Sequence, residues 1–410
     1  MSVFGSADIL IPRVEEMEKW AVIACDQFTS QPEYWQQAAA LVGAAPSALG
    51  LILPEYRLGG EYESAIPAIH ETMETYLAQG RFQPYGDSFV YVERTLQNGQ
   101  IRRGLVGAVD LEAYDYGDRA DTPVRATERT VVERIPPRMK VRQGAALELP
   151  HVLLLCDDEQ AAVVEPLTAK KGALPLLYDF DLMEGGGHIA GWLVAGAEAE
   201  RVRETIAAYE QRIRARSAVS RPMLYAVGDG NHSLATAKAC WEAQKRQHPG
   251  EDLGRHPARY ALVELENLRD PCQQIDPIHR IVTHTDPAAL LAKARAEIGA
   301  EEGYAVPWRS GGRSGTLCLN PALGALPVGI LQNFLDRYLA EQPGEIDYIH
   351  DDAALEDLAA AEGAVGFLLP PIEKEQLFGG IDADGVLPRK TFSMGHAREK
   401  RYYLEARKIR

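Results

Sequence analysis

Five consecutive residues, Asp229-Gly230-Asn231-His232-Ser233, bring together an acid, a flexible backbone position, an amide, an imidazole and a hydroxyl. The strand-like apolar run 222–227 precedes them, and the alanine-rich stretch Leu234–Trp241 follows, with Leu234, Ala237 and Trp241 on one helical face. The segment therefore reads as the turn from a buried strand into a helix. The first turn of a helix exposes unpaired N–H groups and the positive end of its dipole, which together bind phosphate or carboxylate. His232 could add a hydrogen bond or a proton, and Asp229 could hold a metal ion or orient that imidazole. The same residues also fit a structural role in which Asp229 or Asn231 caps the helix and His232 is a satisfied core histidine. The density of polar groups at the end of an apolar strand, where α/β folds place ligands, weighs toward function.

A second acid, Asp26, follows the short apolar run 20–25 and precedes Ser30, Pro32 and Glu33, whose spacing predicts a capped helix start. Asp26 is thus expected on a strand-to-helix loop. Further along, 61–79 reads as helix, and 88–95 and 101–109 as two strands of a hairpin closed at Asn98-Gly99. The mixed-charge segment 125–142, broken at Pro136-Pro137 and carrying Glu128, Arg138 and Arg142, is expected to be a solvated helix and loop. Strands are predicted at 151–155, 161–165, 175–180, 259–265 and 278–283, with a helix over 198–216. Gly185-Gly186-Gly187 reads as a turn, and His188 after it as structural. From 286 to 345 the pattern restarts with helix, glycine- and serine-rich turn, and helix. These elements predict an α/β fold with a core region at 1–285, an inserted α/β subdomain at 286–345, and a segment at 346–410 that returns to the core. No dinucleotide fingerprint, Walker loop or protein-kinase signature occurs.

The bulk composition narrows the partners. With 410 residues, 46% hydrophobic and 25% charged, the chain can bury a sizeable core. Its formal charge of −16 opposes nucleic acid and anionic membrane surfaces. Cys25, Cys156, Cys240, Cys272 and Cys318 are scattered singly, which fits neither a disulfide framework nor a zinc knuckle. No signal pattern or membrane-length apolar run is present, so a cytoplasmic location is expected.

Several segments, in this order, resemble the bacterial family known as domain of unknown function 1015, whose turn reads Asp-Gly-His/Asn-His-Arg before an alanine-containing helix. They are Asp229–Ser233, Ala261-Leu262-Val263-Glu264, Asp276-Pro277-Ile278-His279-Arg280, Gly366-Phe367-Leu368-Leu369-Pro370-Pro371, and Leu387-Pro388-Arg389-Lys390-Thr391-Phe392-Ser393. The resemblance covers most of the chain. That family's turn is similar to one in the ParB/sulfiredoxin superfamily, which includes kinases that phosphorylate free serine with ADP or pyrophosphate. The resemblance implies a mixed α+β protein with a ParB/sulfiredoxin-like core. It also implies a phosphotransferase that takes a small, serine-like hydroxyl metabolite as acceptor, pyrophosphate or ADP/ATP as donor, and Mg²⁺. On this reading Gly230, Asn231, His232 and Ser233 hold donor phosphates, Asp229 supports the metal or the acceptor, and Asp26 is the general base. Arg142, His279, Arg280, Arg389 and Lys390 are further candidate phosphate contacts, and Glu128 and Arg138 lie in a matching stretch. Ser233 departs from the family's arginine and removes a bidentate phosphate clamp. The alternative is a non-catalytic sensor of a phosphorylated metabolite or nucleotide. A ParB-like nuclease is opposed by the acidic balance.

Overall fold

A computed structural model describes residues 2–58, 62–217 and 219–410. The chain divides into two compact units, one of Met1–Ala126, Thr130–Gln273 and His396–Arg410, the other of Thr127–Arg129 and Gln274–Gly395. The stretch 286–345 lies wholly inside the second unit.

The hairpin at Asn98-Gly99 forms as expected. Phe82–Thr95 and Ile101–Asp110 run antiparallel with Val90 opposite Val106, and Gly99 takes φ +81°, the left-handed conformation that tight hairpin turns require. These strands belong to an eleven-stranded sheet in the first unit. Beyond them the sheet continues through Tyr260–Asn267, Leu153–Cys156, Tyr225–Asp229 and Val124–Ala126. Leu153–Cys156 pairs parallel with Tyr260–Asn267 and antiparallel with Tyr225–Asp229. The fold is mixed α/β.

Alternate residues of these strands enter different apolar layers, as the two-residue strand period dictates. Val90, Val92, Val106, Ala108 and Leu262 join one cluster, with the helices Pro32–Val42 and Ile66–Ala78 and with Tyr402, Tyr403 and Leu404. Phe89, Tyr91, Leu105, Val109 and Val263 join the other, with the helices Gly196–Arg216 and Asn231–Gln247. Both faces of the sheet are thus covered.

Four local expectations are corrected. The run 161–165 is not a strand: Asp158 Oδ2 accepts the N–H groups of Ala162 (2.7 Å) and Val163 (3.0 Å), and Pro166 opens a helix directly after it. The helix expected to be capped by Ser30 takes Gln31 as its N-cap because Pro32 occupies the first helical turn. Pro136-Pro137 does not break a helix but lies in the first turn of one, Ile135–Arg142, where missing N–H donors cost nothing. The helix expected from 61 is Ile66–Ala78, with a short 3₁₀ turn at Tyr62–Ala65 before it; residue 61 lies outside the described residues.

The second unit carries a five-stranded sheet in the order Arg313–Leu319, Gly299–Ser310, Val365–Phe367, His279–Thr283, Glu345–Ile349. The helices Pro287–Ile298, Pro327–Glu341 and Asp352–Ala359 accompany it. Ile281, Leu355, Ala359 and Ala364 form a small buried cluster there.

Candidate functional site

The strand Tyr225–Asp229 and the helix Asn231–Gln247 are separated by Gly230 alone. Gly230 sits at φ +78°, and a Cβ there would meet Val152 Cα at 3.0 Å and the His151 carbonyl at 3.2 Å, so both conformation and space call for glycine. The Leu234 N–H is bonded to Gly230 O at 3.0 Å. Helix geometry gives the N–H groups of residues 231–233 no intrahelical acceptor. Asn231 Oδ1 is buried with no hydrogen-bond partner among the described residues. The Asp229 carboxylate accepts the Gly230 N–H at 2.9 Å and faces Lys400 Nζ at 3.3 Å.

His232 Nε2 accepts the Val131 N–H at 3.3 Å, which leaves the ring proton on Nδ1. Burial, then the charges of Arg138 and Arg134, push its pKa down to about 4, while Asp26 pulls weakly the other way. The imidazole is therefore neutral near pH 7.

His232, Ser233 and Thr236 line a cavity of about 140 Å³ that also contains Asp26, Glu55, Arg138, Arg142 and Glu148. Asp26 reaches it through the strand Val22–Ile23, which pairs antiparallel with Tyr402–Tyr403. The Cys25 N–H donates to Tyr403 Oη at 3.1 Å, and Tyr403 Oη lies 2.7 Å from His151 Nδ1. Burial raises the Cys25 thiol pKa, so this cysteine stays protonated and unreactive. Asp26 Oδ1 accepts from Gln27 Nε2 at 3.1 Å.

Arg138 and Arg142 stand one turn apart on the proline-started helix. Arg138 Nε donates to Glu55 Oε1 at 2.7 Å, and Arg142 Nη2 to Glu148 Oε2 at 2.5 Å. Glu148 also accepts from Arg407 Nε at 2.8 Å and from the Leu262 N–H at 2.9 Å. Burial alone would raise the Glu148 pKa, but Arg407 and Arg142 outweigh it and hold the carboxyl below its ordinary value.

The structure thus gathers Asp26, Arg142, His232 and Ser233 around one cavity, with Asp229, Gly230 and Asn231 adjoining them in the chain. The other candidates belong to the second unit and are engaged within it. His279, which is buried, accepts the Leu369 N–H at Nδ1 (3.1 Å) and contacts Asp352 Oδ1 through Nε2 (2.6 Å). Arg280 is fully buried, donates to Gln332 Oε1 at 2.6 Å and to Ile278 O at 2.6 Å, and stacks 4.7 Å over Tyr348; burial lowers its pKa to about 10. Arg389 and Lys390 lie 5.7 Å and 5.3 Å from the same ring. Glu128 accepts the N–H groups of Lys390 (3.0 Å) and Thr391 (2.9 Å). His188, in the first unit, is bracketed by Asp181 and Asp179 of the sheet's edge strand Leu176–Asp181.

Sequence reasoning did not single out Glu55, Glu148, His151, Lys400 or Tyr403. Apart from Arg142 beside Glu148, their partners lie far away in the chain, and no local spacing announces them. Among the described residues, no group of three or more His, Cys, Asp or Glu is placed to hold a metal ion, and no helix is long and apolar enough to cross a membrane.

A family model described as a protein of unknown function, DUF1015, matches residues 11–408. No curated protein matches the sequence. Similar solved structures include a free serine kinase in complex with AMP, 13% identical over 74% of this chain and 92% of that one, with a TM-score of 0.39. A conserved hypothetical protein from Pyrococcus furiosus is 12% identical over 73% and 94%, with a TM-score of 0.36. A C-terminally truncated SbnI from Staphylococcus aureus is 10% identical over 71% and 82%, with a TM-score of 0.37.

Proposed function

The chain belongs to the DUF1015 family, and from that premise we propose that it is a phosphotransferase acting on a small hydroxyl-bearing metabolite, with pyrophosphate or a nucleotide as phosphoryl donor. The observation that carries this reading is the meeting, around one cavity, of Asp26 with the helix start at His232 and Ser233. The free amides of residues 231–233 and the helix dipole favour the donor's phosphate oxygens. The neutral His232 ring, with its proton on Nδ1, is a hydrogen-bond donor that adds no charge. Asp26 is the general base: its carboxylate takes the acceptor's hydroxyl proton as that oxygen attacks phosphorus, and the bond to the donor's bridging oxygen breaks. Most of the rate comes from positioning and from charge placed where it develops.

An all-protein metal cage does not fit this site, since Asp229 is occupied by Lys400 and the Gly230 N–H. Mg²⁺ carried on donor phosphates, needing only one or two carboxylates, fits beside Asp26 and would neutralise phosphate charge. A sensor without turnover is the second reading, supported by Ser233 in place of a clamp arginine and by Arg138 being tied to Glu55.

The two readings separate in one assay. Protein is incubated with Mg²⁺, a panel of hydroxyl amino acids, and ATP, ADP or pyrophosphate in turn, and phosphorylated product is measured. Transfer that disappears in Asp26→Asn supports the phosphotransferase. A raised melting temperature with phosphate compounds, but no product from any pair, supports the sensor.

A further inference from the structure

We infer that the molecule accepted at this site carries an apolar group of several carbons beside its hydroxyl, and that this group packs on the buried apolar residues of the cavity wall. The inference rests on the phosphotransferase reading for the word acceptor; the binding it describes does not. The cavity's lining includes a buried apolar set as well as the polar residues of the site. Asp26, His232 and Ser233 are partly exposed, whereas Leu53 and Met73 are 5% and 4% exposed and Leu147 only 1%.

Most of the other polar groups on the wall are already satisfied by one another. Arg138 is bonded to Glu55, Glu148 to Arg142 and Arg407, and His151 to Tyr403. A second polar group of the ligand set against this wall would find few partners there and would lose its hydration without compensation. Serine, whose side chain is a single hydroxymethyl, would leave the apolar wall facing water or a void. The cavity's 140 Å³ is close to the roughly 150 Å³ of an apolar cavity that takes up benzene. That is space for a branched or aromatic side chain, and concave, mainly apolar pockets with a few placed polar groups are the usual form of metabolite sites.

The test is calorimetric titration of the full-length protein with serine, threonine, 3-hydroxynorvaline, 3-hydroxyleucine and 3-phenylserine, in parallel with transfer assays on the same compounds. Affinity is expected to rise about fourfold for each added methylene until the cavity is full. Ala145→Leu, which fills space beside the buried apolar wall, is expected to abolish that gain, read as the ratio of 3-hydroxyleucine to serine affinity. Should Ala145→Leu not fold, Met73→Phe tests the same point. Affinity that is flat or falls with chain length, or no binding by any member, overturns the inference even if serine is phosphorylated. Length-dependent binding without transfer upholds it and instead rejects the phosphotransferase reading.

Discussion

At the scale of single residues, His232 shows how a site reads its surroundings. Its ring is held neutral by burial and by Arg138 and Arg134, with a pKa of about 4 against an ordinary 6.5. Between those two values the unfolded chain binds the proton and the folded chain does not, so this group's effect is to lower stability as pH falls from 6.5 toward 4. Replacing it by glutamine removes the effect. The melting temperature of His232→Gln is expected to fall less over that interval than that of the native protein, and parallel curves would contradict the neutral, buried assignment. Asp26 behaves differently, being partly exposed and bonded to its neighbour Gln27. Asp26→Asn is expected to lower kcat by about 100-fold or more, the usual contribution of a general base, with little change in melting temperature. Activity near the native level would remove Asp26 from the mechanism.

At the scale of elements, the strand-to-helix turn depends on a single left-handed position. Gly230→Ala places a Cβ against Val152 and imposes left-handed strain of about 1–2 kcal/mol, readable by urea unfolding. It also shifts the amides of residues 231–233, so phosphate binding should weaken along with stability. An alanine variant as stable as the native chain would mean the turn relaxes without cost. The helix Ile135–Arg142 makes a related point: prolines that would disrupt a helix interior instead set its first turn, and Arg138 and Arg142 follow at helical spacing toward Glu55 and Glu148.

At the scale of the first unit, the segment His396–Arg410 ties distant parts together. Arg401, 2% exposed, donates to Glu264 Oε2 at 2.5 Å and to Glu405 Oε2 at 2.6 Å. Gly104 leaves the room for Glu264, since a Cβ there would lie 2.0 Å from its Oε1. Arg401→Met removes the cationic partner of two buried carboxylates and is expected to cost about 3–5 kcal/mol in chemical denaturation. The same segment brings Lys400 to Asp229, Tyr403 to Cys25 and His151, and Arg407 to Glu148. Activity in Arg401→Met should therefore fall beyond what the unfolded fraction explains; a variant with native stability would show that the cluster contributes little.

Much of the local order was readable before any coordinates. The Asn98-Gly99 hairpin, the alternating strands and the turn at Asp229–Ser233 follow from short-range rules of backbone conformation and side-chain period, which a linear string records directly. The 161–165 run misled because Val163 and Val164 are buried in a loop whose shape is set by Asp158, not by strand pairing. The composition of the cavity was not readable at all. Asp26 meets His232 because Val22–Ile23 pairs with Tyr402–Tyr403, and Glu148 is held charged by Arg142 and Arg407. Apart from Arg142, six residues from Glu148, these encounters join residues hundreds of positions apart through packing and charge, and they exist only once the chain has folded back on itself.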